Sequence, residues 1–362
     1  MSLPIQRGAR FGSPGARRRA QPRGTILLLV LFVMVVLNLV ALSFAYRTGI
    51  ETRGARDRAV RAQLEADARS AVAIALGRLV ENTNDFDHRG EPWHLHAPPA
   101  EERWQAHWDR RDPSFAADYA VIDEQSKLHV RRAMGISADQ LVTLGLRRGQ
   151  IASLADWMDD NDLVQAEGAE DDHYLGRRRP HRAKNRPVEV LDELMMIRGF
   201  DRRDYMGEDA DRDRRLDAGE DDGDRSHPLD DADGRLRPGM VDLLTTRGSG
   251  RVNVNTAPRE VLELLALSPS AIDRILAFRA WDGLSSGPVE DRALRSFEDV
   301  EALRGLDAAD RAVLEEIAVF RSHHFRVVAR SVHAPTGLSS TLEVLVHLAD
   351  DDPRTLLWRP GI

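Results

Sequence analysis

The stretch that decides the fold is residues 24–46, GTILLLVLFVMVVLNLVALSFAY. Its part from Thr25 to Tyr46 contains 22 residues and no charged side chain. At a rise of about 1.5 Å per residue, such a helix is roughly 33 Å long, which is enough to cross the hydrocarbon core of a membrane. A secretory signal has a shorter apolar core and a small-residue cleavage site behind it, and neither feature is present. The sequence therefore predicts a transmembrane helix over 25–46.

The charges on the two sides of this helix differ in sign. Residues 1–46 contain six arginines and no acid, and all six arginines precede the apolar run. Because positive residues stay on the cytoplasmic side, we expect a cytoplasmic N-terminus and residues 47–362 outside the membrane on the opposite side. The whole chain has a net charge of -8, so this second part carries -14. An acidic body disfavours nucleic acid and favours divalent cations. The chain has no cysteine, which excludes disulfides and cysteine-based sites.

The helix is predicted to continue beyond the membrane as an amphipathic segment over 47–82. No proline occurs between Arg47 and Glu81. Apolar residues recur there mostly at spacings of three and four, which is typical of one buried helix face: Val60, Leu64, Val72, Leu76 and Leu79. Inside the membrane span, Asn38 is either a tolerated polar residue or the donor of a helix–helix hydrogen bond.

Alternating apolar and polar residues predict a small antiparallel sheet. DYAVIDEQSKLHV, residues 118–130, indicates a β-hairpin that turns at Glu124–Ser126. HFRVVARSVHAPTGLSSTLEVLVHLADD, residues 324–351, indicates two strands around the turn APTG. We expect an α+β fold in which the long helix packs on a sheet formed by 83–135 and 322–362. Residues 136–321 form an inserted helical domain in this interpretation.

The inserted domain contains two predicted pairs of short helices, at 251–283 and 296–320, with Thr256 and Ser296 as candidate N-caps. Both pairs resemble helix-hairpin-helix or SAM-like units, which often bind DNA through backbone N–H groups and basic side chains. Residues 251–321 hold nine arginines and thirteen acids. Because DNA affinity depends on neutralising phosphates, this acidic balance favours a structural use of the helix pairs. A membrane-anchored, competence-type DNA-binding protein is the alternative.

No sequence motif for a nucleophile, a catalytic metal or a phosphate loop is present, so no enzyme is predicted. The acidic loop 208–233 holds twelve acids and is the first candidate for a calcium site. Its acids follow the spacing of a calcium-binding loop, positions 1, 3, 5, 9 and 12: Asp209, Asp211, Asp213, Asp217 and Glu220. Arg214 stands where such a loop prefers glycine. The alternative is an acidic loop that is only solvated.

A second candidate calcium site lies earlier in the inserted domain. Its oxygen donors come from the phrase DDND and from the acids after it: Asp159, Asp160, Asp162, Glu170 and Asp171. Helix capping and salt bridges to the arginines at 177–179 would explain the same residues without a metal ion.

Several features together resemble a type IV prepilin-like protein: the basic leader 1–24, the glycine at its end, the apolar run and the amphipathic continuation. In that family a prepilin peptidase cuts after the glycine, which here is Gly24, and Thr25 becomes the new N-terminus. The family usually has glutamate five residues after the cut, where this chain has Leu29. The minor pseudopilin K of type II secretion systems typically lacks that glutamate. Four phrases occur in the order of the K family: LADWMDDND, GAEDDHYL, KNRPVEVLDELMMIRGF and VNVNTAP.

The resemblance implies a protein that assembles and does not catalyse. Members of the K family cap the periplasmic tip of a pseudopilus with the minor pseudopilins I and J, bind calcium, and are single-pass proteins of the inner membrane with a methylated N-terminus. Leucine at position 29 fits a subunit with no other subunit above it, since an unpaired carboxylate in hydrocarbon is unfavourable. No nucleic-acid partner is expected. An uncut membrane-anchored scaffold protein is a third alternative.

Overall fold

The computed structural model describes residues 23–94, 114–143, 145–209, 216, 218–223, 225, 230, 232–280, 292–349 and 352–360. It begins with a single helix, α1 (Arg23–Val80). This helix is long and apolar enough near its N-terminus to cross a membrane, which agrees with the predicted span. The chain divides into two compact units, Met1–Ala59 and Val60–Ile362. The helix continues beyond the apolar stretch as expected, because α1 has no break before Val80.

The polar side chain in the apolar half of α1 has a partner within its own helix. The Asn38 side-chain amide donates to the Met34 carbonyl oxygen, one turn earlier, at 2.9 Å. This bond supports the first of the two interpretations of Asn38, because the amide is satisfied without a neighbouring helix.

Four antiparallel strands form the main sheet in the order β1–β6–β7–β8. Their bounds are β1 (Phe115–Asp123), β6 (His324–His333), β7 (Leu338–Ala349) and β8 (Asp352–Pro360). The predicted hairpin around APTG is confirmed as β6 and β7, which pair from His324↔His347 to His333↔Leu338. Strand β8 extends this hairpin and was not predicted. Its pairing with β7 contains an irregularity between Leu345 and Val346.

The predicted hairpin at 118–130 is wrong. Strand β1 pairs with β6, from Phe115↔His333 to Asp123↔Phe325. The expected turn is a 3₁₀ helix, Glu124–Ser126, whose backbone N–H at Gln125 donates to the Asp123 carboxylate. The chain then enters β2 (Leu128–His129), which pairs in parallel with β3 (Leu244–Thr245) outside the main sheet.

The C-terminal part of α1 packs on one face of the main sheet. Its buried residues Ala68, Ala71, Val72, Ala75 and Leu79 share a core with apolar residues of β1, β6 and β7. Trp93 closes this core, and its ring meets Phe325 edge to face at 5.2 Å between centroids. The predicted apolar stripe is confirmed at its fully buried members Leu64, Val72 and Leu79.

Short helices around a second hydrophobic core make up the rest of the folded body. They are α2 (Val130–Ala133), α3 (Ala138–Thr143), α4 (Arg148–Met158), α5 (Asp171–Leu175), α6 (Arg202–Met206), α7 (Met240–Leu243), α8 (Arg259–Glu263), α9 (Pro269–Phe278), α10 (Phe297–Ala302) and α11 (Ala308–Ile317). Strand β4 (Val252–Asn253) follows α7 and pairs in parallel with β5 (Ala318–Val319), which follows α11.

The structure corrects one predicted N-cap and confirms the other. The segment EVLDELMMIRGF forms a 3₁₀ helix, Leu191–Met196. Helix α8 has Pro258 at its N-cap, because the Thr256 hydroxyl instead donates to the buried Asp123 carboxylate at 2.6 Å. Ser296 does cap α10 and accepts from the Asp299 backbone N–H.

A buried network of charged residues joins the main sheet to the inserted helical part. The Arg326 guanidinium contacts the carboxylates of Glu124 and Glu343, each at 2.7 Å, and the Lys127 ammonium contacts Glu124 at 2.7 Å. Burial disfavours the charged form of Glu124, but Arg326 and Lys127 outweigh it and hold its pKa well below its usual range. Arg359 of β8 also contacts Glu343, at 3.0 Å. The Arg359 guanidinium reaches the carboxylate of Asp192 in the 3₁₀ helix as well, which extends the network into the inserted part.

Candidate metal centre

Helix α4 positions the first two carboxylates of an acidic cluster. Leu154 and Trp157 of this helix are buried in the second core, which fixes the helix on the body. Asp156 is fully buried, and Asp159 follows at the C-cap. Because residues three apart lie on the same face of a helix, the two carboxylates point to one side.

The third carboxylate is Glu170, the N-cap residue of α5. Oxygen atoms of Asp156, Asp159 and Glu170 lie within 4.8 Å of one another. In the described part of the chain, these three side chains lie close enough together to share a metal ion. It forms the candidate metal centre.

The loop between α4 and α5 closes tightly over Asp156. Both Asp156 carboxylate oxygens accept from the Gln165 backbone N–H at 3.2 Å. At Gly168, an added Cβ atom would lie 2.0 Å from Asp156 Oδ2. A side chain at Gly168 would therefore displace this carboxylate, so a glycine is required for the close approach of the loop.

The cluster holds negative charge that the described residues do not compensate. Both side-chain oxygens of Glu170 are buried, and neither has a hydrogen-bond partner in the described part of the chain. Burial, together with the charges of Asp156 and Asp159, raises the pKa of Glu170 to about 7. Burial also raises the pKa of Asp156, against the hydrogen bonds from Gln165 and Ala169.

These residues fit a hard divalent cation. Calcium takes about six to eight oxygen ligands, and each carboxylate can offer two. A cation between Asp156, Asp159 and Glu170 would give the two buried Glu170 oxygens a partner and would offset the mutual repulsion of the three charges. Backbone oxygens and water would complete the shell.

The structure brings together only some of the residues of the second predicted site. Asp159 and Glu170 belong to the cluster, whereas Asp160 is exposed. Asp162 accepts from the Asn185 side-chain amide at 2.8 Å. Asp171 is engaged by the Arg182 guanidinium and by the Ala183 backbone N–H, both at 2.8 Å. The expected salt bridges to the arginines at 177–179 are replaced by this contact from Arg182.

The first predicted site lies mostly outside the described residues. This applies to Asp211, Asp213 and Asp217. Asp209 and Glu220 are both buried. The later part of the acidic loop is held by its own carboxylates, since Asp230 accepts from the backbone N–H groups of Asp222, Gly223 and Ala232.

The predicted N-terminal sites lie at the start of α1. The leader up to residue 22 is outside the described residues, and Gly24 and Thr25 have helical backbone. Leu29 lies in the apolar stretch with 62% of its surface exposed. The cleavage between Gly24 and Thr25 stays a prediction.

Comparison with known proteins identifies the region around the carboxylate cluster. Residues 125–207 match the family of protein K of the type II secretion system, in its first domain. We call residues 125–207 the protein K domain, after the family that they match. The family predicted from the sequence is thereby confirmed. The domain includes α4 and α5, so all three carboxylates of the candidate metal centre belong to it.

Two relatives extend the match beyond the protein K domain. A putative type II secretion system protein K of Escherichia coli K12 is 22% identical over 197 residues, which are 51% of this chain and 60% of that protein. A chain in the crystal structure of the GspK-GspI-GspJ complex of enterotoxigenic Escherichia coli is 18% identical, with a TM-score of 0.50. That likeness covers 85% of this chain and 99% of the other, and it shows a shared fold.

Sequence reasoning missed Asp156. It stands in the phrase LADWMDDND, three residues before Asp159. Between them lies Trp157, whose ring packs edge to face on Tyr174 of α5 at 5.3 Å between centroids. The spacing of three residues between Asp156 and Asp159 could have indicated that both carboxylates share one helix face. The approach of Glu170 could not be predicted in this way, because it depends on the packing of α5 against α4.

Proposed function

We propose that this chain is a minor pseudopilin of protein K type that supports protein export by a type II secretion system. The observation that carries the proposal is the protein K domain within a body whose sheet packs on a long N-terminal helix. The GspK-GspI-GspJ complex supports the further proposal that the partners are minor pseudopilins I and J. In this role the chain caps the tip of a periplasmic pseudopilus, and its α1 is anchored in the inner membrane with the N-terminus in the cytoplasm. The function needs no catalytic step.

The helix pairs α8–α9 and α10–α11 are proposed to serve the body structurally, as helix-hairpin-helix-like units. Their buried residues Ile272, Ile275, Val300 and Leu314 belong to the second core. The acidic balance of residues 251–321 supports this assignment over DNA binding.

The proposed processing by a prepilin peptidase is tested at the N-terminus. Full-length protein from a host with a type II secretion system is purified in detergent, and its N-terminal peptide is measured by mass spectrometry. We expect a chain that starts at Thr25, with a methylated amine. Gly24→Val is expected to remain uncut and to abolish secretion. An intact Met1 in the functional protein would contradict the proposal.

A bound calcium ion at Asp156, Asp159 and Glu170 is part of the proposed function. The buried Glu170 oxygens without a hydrogen-bond donor and the close approach of the loop at Gly168 to Asp156 support it. When bound, the ion would neutralise the cluster and fix α5 against α4. At a free concentration of about 100 times Kd, calcium should stabilise the fold by about 2.7 kcal/mol.

Calorimetry and thermal unfolding of the full-length protein in detergent test this site. Asp156→Asn and Glu170→Gln should each abolish the heat of calcium binding at the cluster. Asp172→Asn removes an exposed acid of α5 outside the cluster, and it should leave the heat of calcium binding unchanged. Binding that survives both cluster substitutions and is lost in Asp209→Asn would place the ion in the acidic loop instead.

A further inference from the structure

A groove of about 500 Å³ opens on the protein K domain, separate from the carboxylate cluster. It is bounded by the turn after α5 and by the end of the 3₁₀ helix. The lining residues are Arg177, Arg178, Arg179, His181, Met195 and Met196. The groove therefore combines cationic and apolar side chains, and it holds no acid among these residues.

The three arginines are exposed and have no carboxylate partner among the described residues. Two other exposed arginines of the same domain are paired: Arg147 contacts Asp204 at 2.7 Å, and Arg182 contacts Asp171 at 2.8 Å. Asp171, at the start of α5, is therefore already engaged. In a body with a net charge of -14, three adjacent arginines without a partner form a local surface of opposite sign.

The apolar wall of the groove is partly open to solvent. Met195 and Met196 are 41% and 43% exposed. Methionine and arginine are both enriched at the centres of protein interfaces, and methionine adapts to side chains of different shape. A bound segment could place an apolar side chain on the two methionines and its carboxylates on the arginines.

The floor of the groove is rigid. The His181 ring packs on Tyr174 at 5.0 Å and on Trp157 at 6.0 Å between centroids. Both of these aromatic residues are buried in the second core. A segment that binds here would meet a preformed surface, so little ordering of the groove opposes binding.

We infer that this arginine–methionine groove is a docking site for an acidic segment of a partner protein that carries a large apolar side chain. Charge complementarity selects this occupant, because the rest of the body repels an acidic segment. An anionic membrane is disfavoured, since a flat surface does not fill a groove and the acidic body is repelled by it. The inference is independent of the proposed export role and of the calcium site.

The test uses full-length protein in detergent and fluorescein-labelled peptides, with binding followed by fluorescence anisotropy. The probe is EDLEEF; KKLKKF has the charges reversed, and EDSEES lacks the apolar side chains. Arg177→Gln, Arg178→Gln and Arg179→Gln combined should weaken EDLEEF binding roughly tenfold, since three exposed ion pairs are lost together. Raising NaCl from about 50 to about 300 mM should weaken it in the wild type.

Two further variants separate charge from shape. Arg202→Gln, Arg304→Gln and Arg311→Gln combined remove the same charge from exposed arginines elsewhere and should change EDLEEF affinity less than about twofold. Met195→Ser with Met196→Ser should weaken EDLEEF and leave EDSEES unchanged. The inference is overturned if EDLEEF does not bind or if both arginine triples behave alike. Equal binding of KKLKKF, preference for phosphatidylglycerol vesicles, or self-association lost in the first triple would also overturn it.

Discussion

At the scale of single residues, Glu170 has the most testable chemistry. Its buried carboxylate faces Asp156 and Asp159, and its pKa is raised from 4.5 to about 7. In the unfolded chain the same group ionises near 4.5. Without a cation, the folded state therefore loses stability as pH rises from about 4.5 through 7, and the loss is complete above 7.

Glu170→Gln removes this ionisation. Without calcium at pH 8, we expect the variant to be more stable than the wild type by about 2 kcal/mol, and equally stable at pH 4.5. Urea unfolding followed by tryptophan fluorescence, with calcium chelated, measures the difference. A variant that is less stable than the wild type at pH 8 would show that the carboxylate has a compensating partner.

The raised pKa also sets the pH dependence of cation binding. Because a proton and a calcium ion compete for Glu170, calcium affinity should fall as pH decreases from 8 to 6. Isothermal calorimetry at several pH values in the full-length protein measures this change. A calcium affinity that is constant over this range would exclude Glu170 as a ligand.

Gly168→Ala tests the close approach of the loop to Asp156. The new methyl group would lie 2.0 Å from the carboxylate oxygen. Moving the loop or the carboxylate should destabilise the fold by about 1–3 kcal/mol and weaken calcium binding. Gly77→Ala in α1 is the control, because its Cβ meets nothing within 4 Å and alanine favours a helix. Unfolding midpoints that change equally in both variants would contradict the steric argument.

The sequence predicted part of this site for a clear physical reason. Asp159 and Glu170 stand in acidic phrases that can be recognised locally. Which acids share an ion depends on the direction of each side chain after packing. Asp171 is adjacent to Glu170 in sequence, yet its carboxylate accepts hydrogen bonds from Arg182 and Ala183. Asp156 belongs to the cluster, although its neighbours Ala155 and Trp157 look like core residues.

At the scale of secondary-structure elements, the buried charge network holds β6, β7 and β8 to the 3₁₀ helix at Leu191–Met196. Arg326→Met should destabilise the fold by about 3–5 kcal/mol, since Glu124 and Glu343 would lose a buried partner. Chemical unfolding of the full-length protein measures this loss. Arg311→Met, on the exposed face of α11, is the control and should change stability by less than about 0.5 kcal/mol.

The elements that were predicted correctly are those with a local signal. The long helix follows from its apolar periodicity, and the β6–β7 hairpin follows from alternation around a Pro-Gly turn. Strand β1 was assigned a local partner, but its partner β6 lies beyond the whole inserted part. Its sequence fixes which residues alternate between faces, while the choice of neighbouring strand depends on tertiary packing.

At the scale of the whole molecule, the proposed place at a filament tip predicts the effect of a carboxylate in the apolar helix. Leu29→Glu should reduce secretion or displace the subunit from the tip, because a buried carboxylate without a partner in hydrocarbon is unfavourable. Secretion and cross-linking to the minor pseudopilins I and J measure the effect. Leu29→Ile keeps an apolar side chain and should behave as the wild type. Normal assembly of the glutamate variant would contradict the proposed place.

The acidic body also predicts no affinity for DNA. In fluorescence anisotropy with a labelled duplex at about 50 mM salt, the full-length protein should bind no more strongly than an acidic control protein. Salt-sensitive binding that is lost on substitution of arginines in 251–321 would favour the competence-type alternative.

The pairing of β1 with β6 has a consequence for the order of biogenesis. Residues 124–323 lie between the two strands, so β1 emerges from the ribosome long before its neighbour exists. Until then the apolar face of α1 has only part of its sheet to cover it. The core of this body therefore closes only after the last strands have been synthesised and have joined the first. During that interval, the exposed strand and helix face would be a substrate for a chaperone.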